Sequence, residues 1–108
     1  MGYPTLALSA EEIRSQMKQL ENWVVKDNAL ERSYRSKHYM DGLEKLNAIA
    51  QLSEAANHHP ELILEWGSLT IRYWTHTASG ITDLDFQMAR KVEAILSSPQ
   101  TSNGDSSV

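Results

Sequence analysis

The chain contains no cysteine, which removes disulfides, thiolate nucleophiles and cysteine-ligated zinc from consideration together. Basic residues are also scarce: 10 Lys and Arg stand against 14 Asp and Glu, the net charge is −4, and no cationic cluster stands out. Phosphate backbones need concentrated positive charge, so direct nucleic-acid binding is not expected. No segment approaches the roughly 20 apolar residues of a membrane helix, and no basic stretch leads into an apolar run at the amino terminus. The expectation is a soluble, unsecreted, cytoplasmic protein. Met1-Gly2 opens like an acylation signal, but Leu6 stands where Ser or Thr is required. A phosphate-cradling glycine loop is missing as well.

What is present fits one small domain, since 108 residues leave no room for a second folding unit. That domain is expected over residues 1–97, followed by a disordered tail over 98–108, where the composition collapses to Ser, Pro, Gln, Thr, Asn, Gly and Asp before Val108. Ser106 with Val108 distantly resembles a ligand for a PDZ-type groove, an ending that arises often by chance.

The pattern between the ends predicts three helices interleaved with two strand pairs. Ser9 and Glu12 form a capping box, and Ile13, Met17 and Leu20 follow at helical spacing, giving a first helix over about 10–21. Trp23-Val24-Val25 and the alternation Leu30, Arg32, Tyr34 flank Asp27-Asn28, a pair suited to a tight hairpin. A second helix over about Met40 to Ala56 would pack through Leu43, Leu46, Ile49, Ala50 and Leu52. Pro60 lacks an amide proton and biases His59 toward extended angles, so this helix should end near Asn57.

A second hairpin pairs Leu62–Trp66 with Leu69–Trp74 through a Gly67-Ser68 turn, with Trp66 and Trp74 read as sheet packing. Thr82 is expected to cap a third helix whose stripe is Asp85, Met88, Ala89, Val92 and Leu96.

Titratable residues concentrate between Glu54 and Asp85, a stretch that holds His58, His59 and His76. Imidazole titrates near neutrality, at about pH 6.5 when unperturbed, and can both give and take a proton within one cycle. The second hairpin should return His76 toward the corner at Pro60, and Asp85 heads an apolar stripe that would turn it inward. A three-histidine zinc site is the rival reading. It ranks lower because adjacent residues of an extended segment point to opposite sides, so His58 and His59 cannot readily share one ion. His38 is expected to be an ordinary surface histidine, and Trp23 to serve either as core or as a lid on a flat heterocycle.

The order Glu54, three residues, His58-His59-Pro60, five residues, Trp66, nine residues, His76, eight residues, Asp85, with Trp23 upstream, resembles the signature of the pterin-4a-carbinolamine dehydratases. The resemblance covers nearly all of the expected domain. It implies an α+β fold of order α-β-β-α-β-β-α, with three helices on one face of a four-stranded antiparallel sheet, assembled as homodimers or homotetramers. It further implies dehydration of a 4a-hydroxytetrahydropterin to the quinonoid dihydropterin, in the recycling of tetrahydrobiopterin for aromatic amino-acid hydroxylases, with no metal or cofactor.

On that likeness His58, His59 and His76 are the catalytic set. His76 would be the acid on the 4a hydroxyl, His58 would serve the opposite face, and His59 would orient the pterin. Glu54 and Asp85 would bind the ring or fix an imidazole, and Trp23 would pack on the heterocycle. The likeness also implies an alternative role as a dimerisation cofactor or transcriptional coactivator that binds a protein partner.

Overall fold

The computed structural model describes residues 6–98; the expectations for Met1-Gly2 and for the tail from residue 99 onward lie outside the described residues. The element order is α1 (Ala10–Met17), β1 (Trp23–Lys26), β2 (Ala29–Arg35), α2 (Tyr39–Ala56), β3 (Glu61–Glu65), β4 (Ser68–Tyr73), a 3-10 turn (His76–Ala78) and α3 (Asp83–Ser97). Four antiparallel strands in the order β1-β2-β4-β3 form one sheet, as expected for the α+β class.

Local chemistry accounts for most of the boundaries. Ser9 and Glu12 make both halves of the capping box that starts α1. The helix stops four residues short of the expected 21, because the amides of Gln19 and Leu20 bond to carbonyls three residues back, which tightens the chain and drops Leu20 into the core. Asp27 and Asn28 take φ of 49° and 62°, the left-handed angles of a two-residue hairpin, and Lys26 pairs with Ala29 across them.

The second hairpin turns one residue earlier than expected. Glu65 pairs with Ser68, so Trp66-Gly67 is the loop, and Trp66 stands 78% exposed at its tip rather than packing in the sheet.

On the helix side of the sheet, Leu30, Leu69, Ile71 and Tyr73 meet Ile49 of α2 and Phe86, Met88, Ala89 and Val92 of α3, all almost fully buried. Burying each large side chain is worth about 1.5–3 kcal/mol. The packing stripe of α2 differs from the expected leucine face: Gly42, Lys45, Ile49 and Ser53 are innermost, while Leu46 and Leu52 flank them. A Cβ on Gly42 would stand 2.9 Å from Leu64 Cδ1, so the glycine lets α2 lie close on β3. Lys45 buries its stem and donates its ammonium to the carbonyls of Ile95 and Ser98 at 3.4 and 3.0 Å, closing the end of α3.

Candidate functional site

The carboxyl end of α2 separates the adjacent histidines. Asn57 takes φ 53° and ψ 42°, and the His58 amide bonds back to the Ser53 carbonyl at 3.0 Å, which completes a left-handed helix stop. The corner sends His58 inward and His59 outward. His58, 9% exposed, sets Nε2 at 2.5 Å from Oδ1 of Asp85, a residue with no exposed surface. His59 instead sets Nε2 at 2.7 Å from Oε1 of Glu54 in open solvent, where screening leaves such a pair little energy.

Asp85 is held by donors on its other oxygen. The Thr82 amide donates to Oδ2 at 2.8 Å, the return half of a capping box at the start of α3, and the Thr75 hydroxyl donates there at 2.9 Å. A carboxylate only accepts, so the His58 nitrogen facing it carries the hydrogen, and Nδ1 keeps the lone pair of the neutral ring. Beneath lies Tyr73, its ring nearly parallel to that of His58 with centroids 5.8 Å apart. Ser53 donates its single hydroxyl hydrogen to the Ile49 carbonyl at 2.7 Å, so the phenol must be the donor in the 2.6 Å contact with Ser53. Burial pushes the Tyr73 phenol up, and the nearby Asp85 charge raises it further.

His76 lies exposed in the 3-10 turn just past β4. Its ring centroid is 4.8 Å from that of Trp74, tilted by 38°, and the Arg72 guanidinium lies 5.6 Å from the same indole. Among the described residues no hydrogen bond joins His76 to His58 or His59. The link is through the backbone: His76 follows Thr75, which holds Asp85.

An open cavity of about 590 Å³ lies between α2 and β3. Asn47, Gln51 and Glu54 line it from the helix, and His59, Pro60 and Leu62 from the other side. Among the described residues no group of three or more His, Cys, Asp or Glu is placed to hold a metal ion. His38 is exposed at the start of α2 and caps nothing with its side chain.

Trp23 sits apart from the histidines. It is 3% exposed, and its indole donates to Oε1 of Glu93 at 2.7 Å, which Arg32 also grips at 2.9 and 3.0 Å. Eight residues along α3 separate Glu93 from Asp85, roughly 12 Å at the helical rise.

The sequence pattern does not mark Ser53, Tyr73 or Thr75 as site residues, and it marks Thr82 only as a helix cap and Trp74 only as sheet packing. A signal existed for two of them: Leu69, Ile71 and Tyr73 alternate toward the core, and Thr75 continues that period.

A profile of the family described as Pterin 4 alpha carbinolamine dehydratase matches residues 6–95. The chain belongs to this family. Among its relatives, a protein of Alkaliphilus metalliredigens is 40% identical over 91 residues, covering 82% of each chain. One of Mycolicibacterium vanbaalenii is 36% identical over 89 residues, covering 82% of this chain and 96% of its own. Both carry the pterin-4-alpha-carbinolamine dehydratase name as a provisional designation. A crystal structure from Brucella melitensis, called a transcriptional coactivator/pterin dehydratase, superposes with a TM-score of 0.79 at 29% identity over 83% of this chain and 98% of that one. Membership in this family of hydro-lyases gives the buried His58–Asp85 pair a chemical context.

Proposed function

We propose that this protein dehydrates a 4a-hydroxytetrahydropterin to the quinonoid dihydropterin. The observation that carries the reading is the His58–Asp85 pair, 2.5 Å apart and shielded from water, in a chain of this family. The reaction needs one proton delivered and one removed. The bond from carbon 4a to oxygen breaks with its electron pair on oxygen, which takes a proton and leaves as water. The lone pair of the adjacent ring nitrogen closes a C=N bond, and a ring N–H gives up its proton.

His58 suits the base: Asp85 holds its Nε2–H, leaves Nδ1 to accept, and stabilises the imidazolium that forms. His76 is the acid on the departing hydroxyl. His59 and Glu54 at the cavity mouth bind the pterin, with the carboxylate accepting from ring N–H donors. Trp23, engaged with Glu93, serves the core of its own subunit in this reading. The enzyme would act in the cytoplasm as a homodimer or homotetramer, returning pterin cofactor to hydroxylases.

The test is direct: purified protein, without added metal, should accelerate the decay of chemically generated 4a-hydroxytetrahydropterin. No acceleration would leave a second reading, a binding partner for another protein. That reading is favoured by exposed Val24 and Ile63 on the helix-free face of the sheet and by Trp66 at the hairpin tip.

A further inference from the structure

We propose that Thr75 is a positioning residue that joins the His58–Asp85 pair and the His76 turn into one unit. Its kinetic consequence rests on the dehydratase reading. The hydroxyl lies 2.9 Å from Asp85 Oδ2 and 2.8 Å from the Thr82 hydroxyl. A hydroxyl has one hydrogen and the carboxylate can only accept, so Thr75 donates to Asp85 and Thr82 donates to Thr75. Together with the Thr82 amide this occupies Oδ2, leaves Oδ1 to His58, and stops the carboxylate from rotating.

The backbone of the same residue carries His76. The Thr75 amide donates to the Gly80 carbonyl at 2.9 Å, and its carbonyl accepts from Ala78 at 3.1 Å and from Gly80 at 3.4 Å, which closes the turn around His76. Ser79 then bonds back to the His76 carbonyl at 3.1 Å. A shift of Thr75 therefore moves both imidazoles. In the absence of its hydroxyl, the donor nearest to Oδ2 besides the Thr82 amide is the Thr82 hydroxyl, now 3.5 Å away. Reaching it requires the carboxylate to turn and gives His58 a second orientation.

The experiment compares Thr75→Val, which keeps the branched shape, with Thr75→Ser, which keeps the hydroxyl. In Thr75→Val, kcat should fall about 10-fold with KM changed by less than about twofold, the size of loss typical when a group that orients a catalytic histidine is removed. NMR of the imidazole nitrogens in the free protein should show His58 as a single Nε2–H tautomer in the wild type, a mixture in Thr75→Val, and the single form again in Thr75→Ser. Wild-type kcat in a folded Thr75→Val, an unchanged His58 spectrum, or failure of Thr75→Ser to restore it would overturn the proposal.

Should Thr75→Val not fold, Thr75→Ala against Thr75→Ser gives the same spectral comparison, and equal spectra overturn it. The spectrum needs no turnover. A wild type inactive toward the pterin, but with a His58 spectrum that depends on Thr75, rejects the dehydratase reading and supports the positioning role.

Discussion

Helix α3 carries two carboxylates that bind other elements, Asp85 fully buried and Glu93 half-buried, and their partners differ in kind. Asp85 meets an imidazole and two threonines, whereas Glu93 meets the Arg32 guanidinium and the Trp23 indole. Arg stays charged at any working pH and an indole does not titrate there, so neither partner of Glu93 exchanges a proton with it. The Arg32 hydrogen bonds hold the Glu93 carboxyl below the usual carboxylate range, against burial, which opposes them; the Trp23 N–H adds to the lowering. Asp85, on the same helix, faces the one partner that can change charge during a reaction. The Glu93 cluster ties β1 and β2 to α3, and the Asp85 cluster can pass a proton.

Replacing Asp85 by Asn is the most severe way to break this contrast. An amide can donate where the carboxylate accepted, which favours the wrong His58 tautomer, and kcat should fall roughly 100-fold or more. The variant should be compared with the wild type in single-turnover kinetics after its fold is checked by circular dichroism. Turnover at the wild-type rate would remove the pair from the mechanism.

The matching change, Glu93→Gln, should do the reverse. It leaves the Arg32 charge half-buried without its counter-ion, which should cost about 1–3 kcal/mol of unfolding free energy in urea titration while kcat stays within about twofold. A folded Glu93→Gln that loses activity as Asp85→Asn does would place Trp23 in the site after all.

The comparison also shows what the sequence could carry. Element order, the Asp27-Asn28 hairpin and the inward aim of Asp85 follow from rules local to a few residues: a capping box, left-handed angles, a stripe of apolar residues. The interior of α2 did not follow from hydrophobicity. Gly42 is inside because the Leu64 side chain of β3 occupies the space a Cβ would need, and Lys45 because its ammonium reaches carbonyls 50 and more residues away along the chain. Both reasons are tertiary. The site divides in the same way: the alternation of neighbours in an extended segment makes the divergence of His58 and His59 legible and Thr82 is legible as a cap, while Thr75, Ser53 and Tyr73 are ordinary residues until packing brings their hydroxyls to partners.

A smaller effect separates the two limbs of the stability–pH curve. Asp83, lowered mainly by the Gln87 and Gln16 hydrogen bonds, and Glu93 are stabilised as anions by folding. Their contribution is present above the unfolded values, about 3.9 and 4.3, and is lost as pH falls through the lower folded ones. Tyr34, pushed up to about 12 by burial and by its bond to Asp41, and Tyr73 behave oppositely. Their contribution is complete below about pH 10 and is lost as pH rises above it. Urea midpoints should therefore be flat near neutrality and fall on both sides. Glu93→Gln should flatten the acid limb and Tyr34→Phe the alkaline limb; Asp85→Asn should leave the alkaline loss from Tyr34 in place.

The smallest change is expected at the neighbour of the buried pair. Glu54 and His59 form a carboxylate–imidazole contact like that of Asp85 and His58, at nearly the same distance, but their side chains are 79% and 58% exposed. Water already solvates both groups, so Glu54→Gln should alter unfolding free energy by less than about 0.5 kcal/mol. If the carboxylate accepts from the bound pterin, its loss should appear in KM, raised roughly several-fold with kcat little changed, because such a contact is made equally in the ground state and the transition state. A fall in kcat at constant KM would instead mean that His59 moves a proton, and that the exposed pair works as the buried one does.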